Sequence, residues 1–401
     1  MLPEISMNKK SVVIFCIENP FRKQTGYYMR VRQTIDSLRD YRIRVLCFGD
    51  KYSCTEINGI ALIELKKDKF SLIKMLKGYG ISSSQSFYSD KTVIEIEAVC
   101  NDPLLECIIM EGFYFSGFAK VLSDNFCRII MDLHNYEPKR LASSLFHLRS
   151  LKRNLLVLAG LIEYFYTQRK MDKYIWKYWM LTEEEKKKLI RTFGVNESKI
   201  DVIPNSIRME KELSGFEEMP INRDPDRLIF SGNYSYPPNQ QAARIITSRL
   251  LPRLLHYNKN IRVYITGPYA PAWLIEKMSP NLVVTGYVED LSEYFNKSCL
   301  FIAPIINGGG MKFKVIQALL SGLPVIGTNE ALSGIDLSKT KYFKPVEIKD
   351  FPEKVIELIR DRDLYLKWAS EGYELAKEQL SFSKVKSKME SSLSERQEWK
   401  S

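Results

Sequence analysis

Short apolar runs alternate with helix-spaced segments along almost the whole chain. Residues 11–17 form an apolar run that stops at Glu18-Asn19-Pro20, and Tyr28, Val31, Ile35 and Leu38 then recur at helical spacing. Residues 43–48, 107–110, 128–131 and 200–203 repeat the short-run pattern in the first half. Residues 228–231, 261–266, 282–285 and 300–306 repeat it in the second, and 325–326 open one more run. Runs of this length with no polar face predict buried parallel strands, and the helical segments between them predict crossovers. The fold class is therefore α/β, with helices on both faces of parallel sheets. Among the helices, Thr182 followed by Glu185 reads as a capping box. Residues 240–255 form another, and 312–321 a third that Gly322 stops.

Two stretches fit this alternation less well. Residues 50–99 mix lysine-rich and serine-rich pieces, including Ser82 to Ser84 and Ser86, and predict a helix and a mobile loop. Residues 155–162 are apolar all round, with Arg149, Lys152, Arg153, Arg169 and Lys170 on their flanks and Tyr164, Phe165 and Tyr166 beside them. Tyr174, Trp176, Tyr178 and Trp179 follow, interleaved with Lys173 and Lys177. Basic residues among aromatics suit a contact with a membrane surface. A helix packed in the core of the first domain fits the same residues, and both readings stand.

The two series of βα units read as two domains. The first spans 1–207; the polar stretch 208–227, with Pro220 and Pro225, reads as a linker; the second spans 228–380. Residues 381–401 are expected to form a C-terminal helix that packs back toward the first domain. A formal charge of +11 calls for an anionic partner: a membrane, a phosphorylated small molecule or a nucleic acid. No nucleic-acid module signature is present, so nucleic acid is not expected. No run reaches the ~18 apolar residues of a membrane span. The first ten residues lack the apolar segment of a signal peptide and read as a short tail. Seven scattered cysteines without a Cys-x-x-Cys pair point to reduced, buried thiols in a cytoplasmic protein and to no zinc site.

The candidate chemistry gathers at strand ends, where ligands bind in open parallel sheets. Gly232, Gly267, Gly286 and Gly308 to Gly310 close four successive strands of the second half. A strand, a glycine loop and a helix N-terminus make an anion site, because free N–H groups and the helix dipole point at one spot. Lys312 and Lys314 add charge to it. In the first half, Glu111 and His134 stand at strand ends; His134 is one of three histidines, and suits hydrogen bonding to a hydroxyl or phosphate, or proton transfer. Asp224-Pro225-Asp226 and Asp361-Arg362-Asp363 read as turn and surface chemistry rather than as metal ligands. Nucleophile-elbow, Walker lysine and His-Glu-x-x-His motifs are missing. The Gly-x-Gly-x-x-Gly of a dehydrogenase is missing from the first βα turn.

These residues resemble glycosyltransferase family 4, the group 1 glycosyltransferases of GT-B architecture. The resemblance is carried by Gly26 with Arg30, by Met131 to Glu137 and by Ile203-Pro204-Asn205-Ser206. In the second half it is carried by Phe230 to Asn239, Gly286 to Asp290 and Gly308 to Pro324. It implies two Rossmann-like domains whose parallel sheets face a central cleft, a nucleotide sugar held mainly by the second domain, retention of anomeric configuration and no metal or other cofactor. His134 matches a histidine facing the donor sugar, Gly26 a loop near the diphosphate, and Tyr287 and Val288 the turn that contacts the base. Two glutamates of the family pattern fall on Gly309 and Gln317 here. The helix around Gln317 is apolar nearly all round, so Gln317 is expected to be buried and hydrogen-bonded.

The expected function is retaining transfer of a sugar from a nucleotide-diphosphate donor to a saccharide or lipid-linked saccharide, in polysaccharide or other surface glycan synthesis. His134 and Lys312 are the expected catalytic residues. Gly26, Gly232, Asn233, Gly267, Tyr287, Val288, Gly309, Gly310, Met311, Lys314 and Gln317 are expected to bind the donor. The protein is expected in the cytoplasm, peripheral at the inner face of an anionic membrane. A sugar-nucleotide-binding protein without catalysis is the alternative, since both carboxylates are missing. A sugar-nucleotide epimerase would need a cluster of acids and histidines that the sequence does not display.

Overall fold

The computed structural model describes residues 9–22, 25–67, 89–125, 128–138, 151–208 and 223–395. Its contacts divide the chain into two units: residues 1–204 with 386–401, and residues 205–385.

The first unit is built on an eight-stranded sheet in the order β3-β4-β2-β1-β5-β6-β7-β8. The strands are β1 Ser11–Phe15, β2 Arg42–Gly49, β3 Ser53–Ile57, β4 Ile60–Lys66, β5 Leu105–Glu111, β6 Arg128–Leu133, β7 Lys177–Met180 and β8 Ile200–Val202. All neighbours are parallel except β3 and β4. Val12 to Phe15 and Ile108 to Met110 are wholly buried, as central strands covered on both faces must be. Phe15 meets Phe115 edge-on at 6.0 Å, and Phe115 stacks on Phe48 at 5.9 Å.

One element of this unit departs from expectation, and another is decided between two readings. Residues 50–67 form a hairpin rather than a helix or loop. Asn58 and Gly59 both take positive φ, at 51° and 76°, which is the two-residue turn whose twist suits antiparallel strands. The expected helix lies further on, at Asp90–Cys100, and residues 68–88 with the serine cluster are outside the described residues. The aromatic stretch at 174–179 does not lie on a membrane-facing helix: Trp176, Tyr178 and Trp179 are buried in and beside β7. Lys177 is buried with them, its ammonium shared by Asp201 and Glu395. The 21-residue helix Leu151–Met171 buries Tyr164 and Gln168 and leaves Leu158, Ile162 and Tyr166 exposed. Residues 139–150, with Arg149, are outside the described residues. Among the described residues no helix is long and apolar enough to cross a membrane.

The second unit carries a five-stranded parallel sheet, β11-β10-β9-β12-β13. Its strands are β9 Asp224–Ser231, β10 Arg262–Thr266, β11 Leu282–Gly286, β12 Ser298–Ala303 and β13 Val325–Gly327. β9 starts inside the stretch read as a linker, of which 209–222 lie outside the described residues. Asp224 receives Arg262 at 2.6 Å and Asp226 receives Asn258 at 2.7 Å, so this triplet secures the strand start. Asp361 caps the helix Arg362–Leu380 through the Leu364 N–H. The helix after β9 begins earlier than expected, at Pro237, and runs to Tyr257 with a π turn at Ile246–Leu250. That turn lies just before Pro252, which has no N–H to give the α ladder.

Of the described cysteines, Cys16, Cys47, Cys100, Cys107 and Cys299 are buried and unbridged, while Cys54 is exposed on β3. Ser392 and Trp179 show how the chain end packs. The indole of Trp179 donates to Ser392 Oγ at 2.8 Å, and Ser392 Oγ donates to Asp201 at 2.6 Å.

Candidate functional site

Each unit offers one cluster at the carboxyl ends of its strands. In the first unit β5 and β6 run side by side, with Glu111 paired in register with Asp132. Both carboxylates are fully buried, and each has a partner that the helix Gly26–Ser37 or the β6 loop supplies. Arg30 grips Asp132 with Nε at 2.8 Å and NH2 at 3.3 Å, and its NH1 donates to Pro204 O at 2.9 Å. Burial pushes the Asp132 carboxyl up from its usual range, against the pull of Arg30.

His134 Nε2 lies 2.6 Å from Glu111 Oε2, while His134 Nδ1 and Glu111 Oε1 are buried without a hydrogen-bond partner among the described residues. Tyr27 covers the pair. Its ring is 4.8 Å from the imidazole, its hydroxyl donates to Glu111 O at 2.9 Å, and it accepts the Ile17 N–H at 3.1 Å. The loop beyond His134 is tied down where Glu185 accepts the Tyr136 N–H at 3.1 Å. Glu185 N in turn donates to Thr182, as the capping box predicts.

Glu111, Asp132 and His134 bring their ligand atoms within 4.8 Å of one another, a spacing a cation could use. The arrangement already has its cation: the Arg30 guanidinium holds both oxygens of Asp132. Gly26 is exposed at the first turn of its helix, and Gln24 is outside the described residues.

In the second unit the strand ends are stitched together by backbone. Gly232 N donates to Thr266 O at 2.9 Å and Gly267 N to Gly286 O at 2.7 Å. Gly267, at φ +128°, comes so near that a Cβ there would sit 2.0 Å from Gly232 O. Asn233 folds its carbonyl side chain onto Ser235, and its backbone O accepts from Asn239 Nδ2 at 2.8 Å. Tyr287 is exposed and Val288 half-buried, beyond the end of β11.

The glycine loop after β12 turns through positive φ at Gly308 and Gly310 and leads into the helix Phe313–Leu320. Asn205 Nδ2 donates to Met311 O at 3.1 Å and holds the loop from below. The two lysines part company here. Lys312 is paired with Glu330 at 2.7 Å and also donates to Gly310 O at 2.8 Å. Lys314 instead reaches back to the end of β9. Its ammonium donates to Asn239 Oδ1, lies 4.7 Å from the centre of the Phe230 ring, and is 3.0 Å from where a Cβ on Gly232 would stand. Burial there, with Lys312 nearby, pushes Lys314 down to about 7. Gln317 lies one turn along the same helix and is half-buried, less enclosed than the apolar pattern of its neighbours predicts.

The structure thus gathers Gly232, Gly267, Lys314 and, behind it, Asn239 at one strand end, with Gly309, Gly310 and Met311 in the adjoining loop. His134 has its own cluster in the other unit. Sequence reasoning assigned no role to Glu330, which pairs with Lys312, or to Asn239, which receives Lys314. The pairings of Arg30 with Asp132 and Glu111 with His134 had a signal: acidic residues ending neighbouring strands, and an arginine one turn into the first helix.

Residues 225–361 match the family model of group 1 glycosyl transferases. Over 117 residues the chain is 26% identical to an uncharacterized 44.6 kDa protein in the cps region of Klebsiella pneumoniae. That match covers 27% of this chain and 30% of the relative. Solved structures of similar fold span nearly the whole chain. The HepE protein of Anabaena, in complex with UDP and glucose, superposes with a TM-score of 0.64 at 11% identity, over 96% of this chain and 100% of that one. Sucrose-phosphate synthase of Thermosynechococcus elongatus gives 0.68 at 12%, over 96% and 98%. TarM of S. aureus, in complex with UDP and a GlcNAc-glycerol, gives 0.66 at 11%, over 96% and 100%. The fold is the two-domain GT-B architecture, and its second unit contains a group 1 glycosyl transferase domain.

Proposed function

We propose that this chain is a retaining glycosyltransferase that moves a sugar from a nucleotide-diphosphate donor to a saccharide or lipid-linked saccharide acceptor. The observation that carries this reading is the cationic strand end inside the matched domain, where Lys314 lies beside Gly232 at the N-terminal end of the helix Phe313–Leu320. A diphosphate placed there meets an ammonium and the positive end of the helix dipole beside glycine backbone. As the bond between sugar and phosphate breaks, the leaving diphosphate gains charge, and fixed positive groups stabilise it more than the intact donor. Retention, through displacement on the face the leaving group departs from, is part of this proposal. His134 contributes Nδ1, the ring atom that Glu111 does not engage, to a donor hydroxyl or phosphate. No metal is assigned a part, because Arg30 already holds both oxygens of Asp132 in the cluster most suited to one.

UDP-glucose is the first donor to test, because HepE was solved with UDP and glucose. A thermal-shift screen of nucleotide sugars, followed by turnover with mixed acceptors, tests the reading. Donor-dependent stabilisation and sugar transfer are expected; lack of stabilisation by any nucleotide would overturn it. A second reading is a sugar-nucleotide-binding protein without catalysis, favoured by Gly309 and Gln317 where two acids are expected. Binding with neither transfer nor slow hydrolysis would select it. The cps-region relative fits a place in surface polysaccharide synthesis.

The exposed stripe Leu158, Ile162 and Tyr166, with Arg169 and Lys170 at the end of the same helix, supports work at the inner face of an anionic membrane. Cosedimentation with anionic vesicles at low salt is expected, and its loss in Ile162→Lys.

A further inference from the structure

The glycine loop bears glycine at 309 and glutamine at 317, yet a carboxylate reaches it from another element. Glu330 lies in the loop after β13, and its Oε1 stands 3.7 Å from where a Cβ on Gly308 would be. That oxygen accepts from Lys312 Nζ at 2.7 Å, and the same Nζ donates to Gly310 O at 2.8 Å. The pair is largely withdrawn from solvent, with 10% of the lysine and 17% of the glutamate side chain exposed.

The base of Glu330 is held. Thr328 Oγ1 donates to Ile305 O, at the end of β12, and accepts the Ala331 N–H at 3.1 Å. The turn that carries Glu330 is therefore pinned to the strand that feeds the glycine loop. Around Gly308, at φ +144°, the Tyr236 hydroxyl lies 3.6 Å from the same Cβ position and the Lys312 Cε 3.9 Å. A carboxylate, a phenol and a lysine stem so converge on a residue with no side chain. A carboxylate accepts hydrogen bonds from paired hydroxyls, and such charge-assisted bonds are the stronger kind.

We propose that Glu330 recognises hydroxyls of the transferred sugar, supplying from the β13 loop the carboxylate missing at position 309. This rests on the donor reading above. Lys312 then orients Glu330, and the diphosphate falls to Lys314. The division of labour has a physical basis: one lysine engaged with a carboxylate is a poor ligand for a phosphate, whereas Lys314 donates to a neutral amide and lies against an aromatic face.

The test separates sugar from nucleotide. Dissociation constants are measured by calorimetry for UDP, UDP-glucose, GDP and GDP-mannose with the wild-type chain, Glu330→Gln and Glu330→Asp. For whichever nucleotide binds, Glu330→Gln should weaken the nucleotide sugar by about tenfold or more while leaving the nucleoside diphosphate within about twofold. Glu330→Asp, which keeps the charge and the lysine pair but draws the carboxylate back, should show the same selective loss to a smaller degree. Equal weakening of sugar and diphosphate forms, or no weakening of either, overturns the assignment of Glu330 and leaves the donor reading standing. A wild-type chain that binds none of the four overturns both.

Discussion

Glu111 Oε2 stands 2.6 Å from His134 Nε2, joining the ends of two neighbouring parallel strands. The bond decides which face of the imidazole is presented: Nε2 is committed, and Nδ1 is the atom left for a ligand. Glu111→Gln preserves size but can offer its amide N–H to Nε2, which favours the wrong tautomer. The expected result is a fall in kcat of about tenfold or more with donor KM little changed, by analogy with other carboxylates that orient a functional histidine. Initial-rate kinetics over donor concentration check it, and an unchanged kcat would remove Glu111 from the mechanism.

Lys314 should make donor binding depend on protons. Its folded pKa of about 7 lies below the usual lysine value, so at pH 8 it is largely uncharged in the empty site. A diphosphate restores the charged form, so binding at pH 8 should take up protons, approaching one per site. Calorimetry in two buffers of different ionisation enthalpy measures this. Lys314→Met should abolish the uptake and weaken binding. The same shift has a sign for stability: between about pH 7 and 10.5 the unfolded lysine holds the proton that the folded one has lost. Stability relative to Lys314→Met therefore rises with pH across that window.

Gly267→Ala should be severe. The residue has φ +128°, and an added Cβ would overlap Gly232 O at 2.0 Å, so backbone has to move at the strand end that forms the proposed diphosphate site. A loss of more than about 3 kcal/mol in urea unfolding is expected, with diphosphate binding lost alongside. Wild-type stability in this variant would mean that the strand end is less tightly stitched than its hydrogen bonds indicate.

Ser392→Ala should loosen the chain end. It leaves the buried Trp179 N–H unpaired and removes one donor to Asp201, which keeps Lys177. A cost of about 1–2 kcal/mol is expected from the orphaned indole. Urea titration followed by tryptophan fluorescence measures it.

The legible part of this protein was set by local rules. Apolar runs such as Val12 to Phe15 and Leu300 to Ile302 gave the parallel strands, because a strand buried on both faces has no polar positions to confuse the period. The Asn58-Gly59 hairpin carries its own turn signal, while the lysine-rich composition around it has no strand period. Trp176, Tyr178 and Trp179 leave two readings open in the sequence, because their type suits both a membrane rim and a core. Only the pairing of β7 between β6 and β8 decides between the two.

By itself the sequence determined the two α/β units, the glycine loop ahead of its helix, and His134 at a strand end, because each follows from the spacing of nearby residues. The tertiary structure decided which charges meet. Lys312 and Lys314 are two residues apart, yet one turns to Glu330, eighteen residues on, and the other to Asn239, seventy-five residues back. Hydrogen bonds and burial act through space between elements whose sequence separation carries no record of the contact, so the partners of these lysines became visible only once the strands stood side by side.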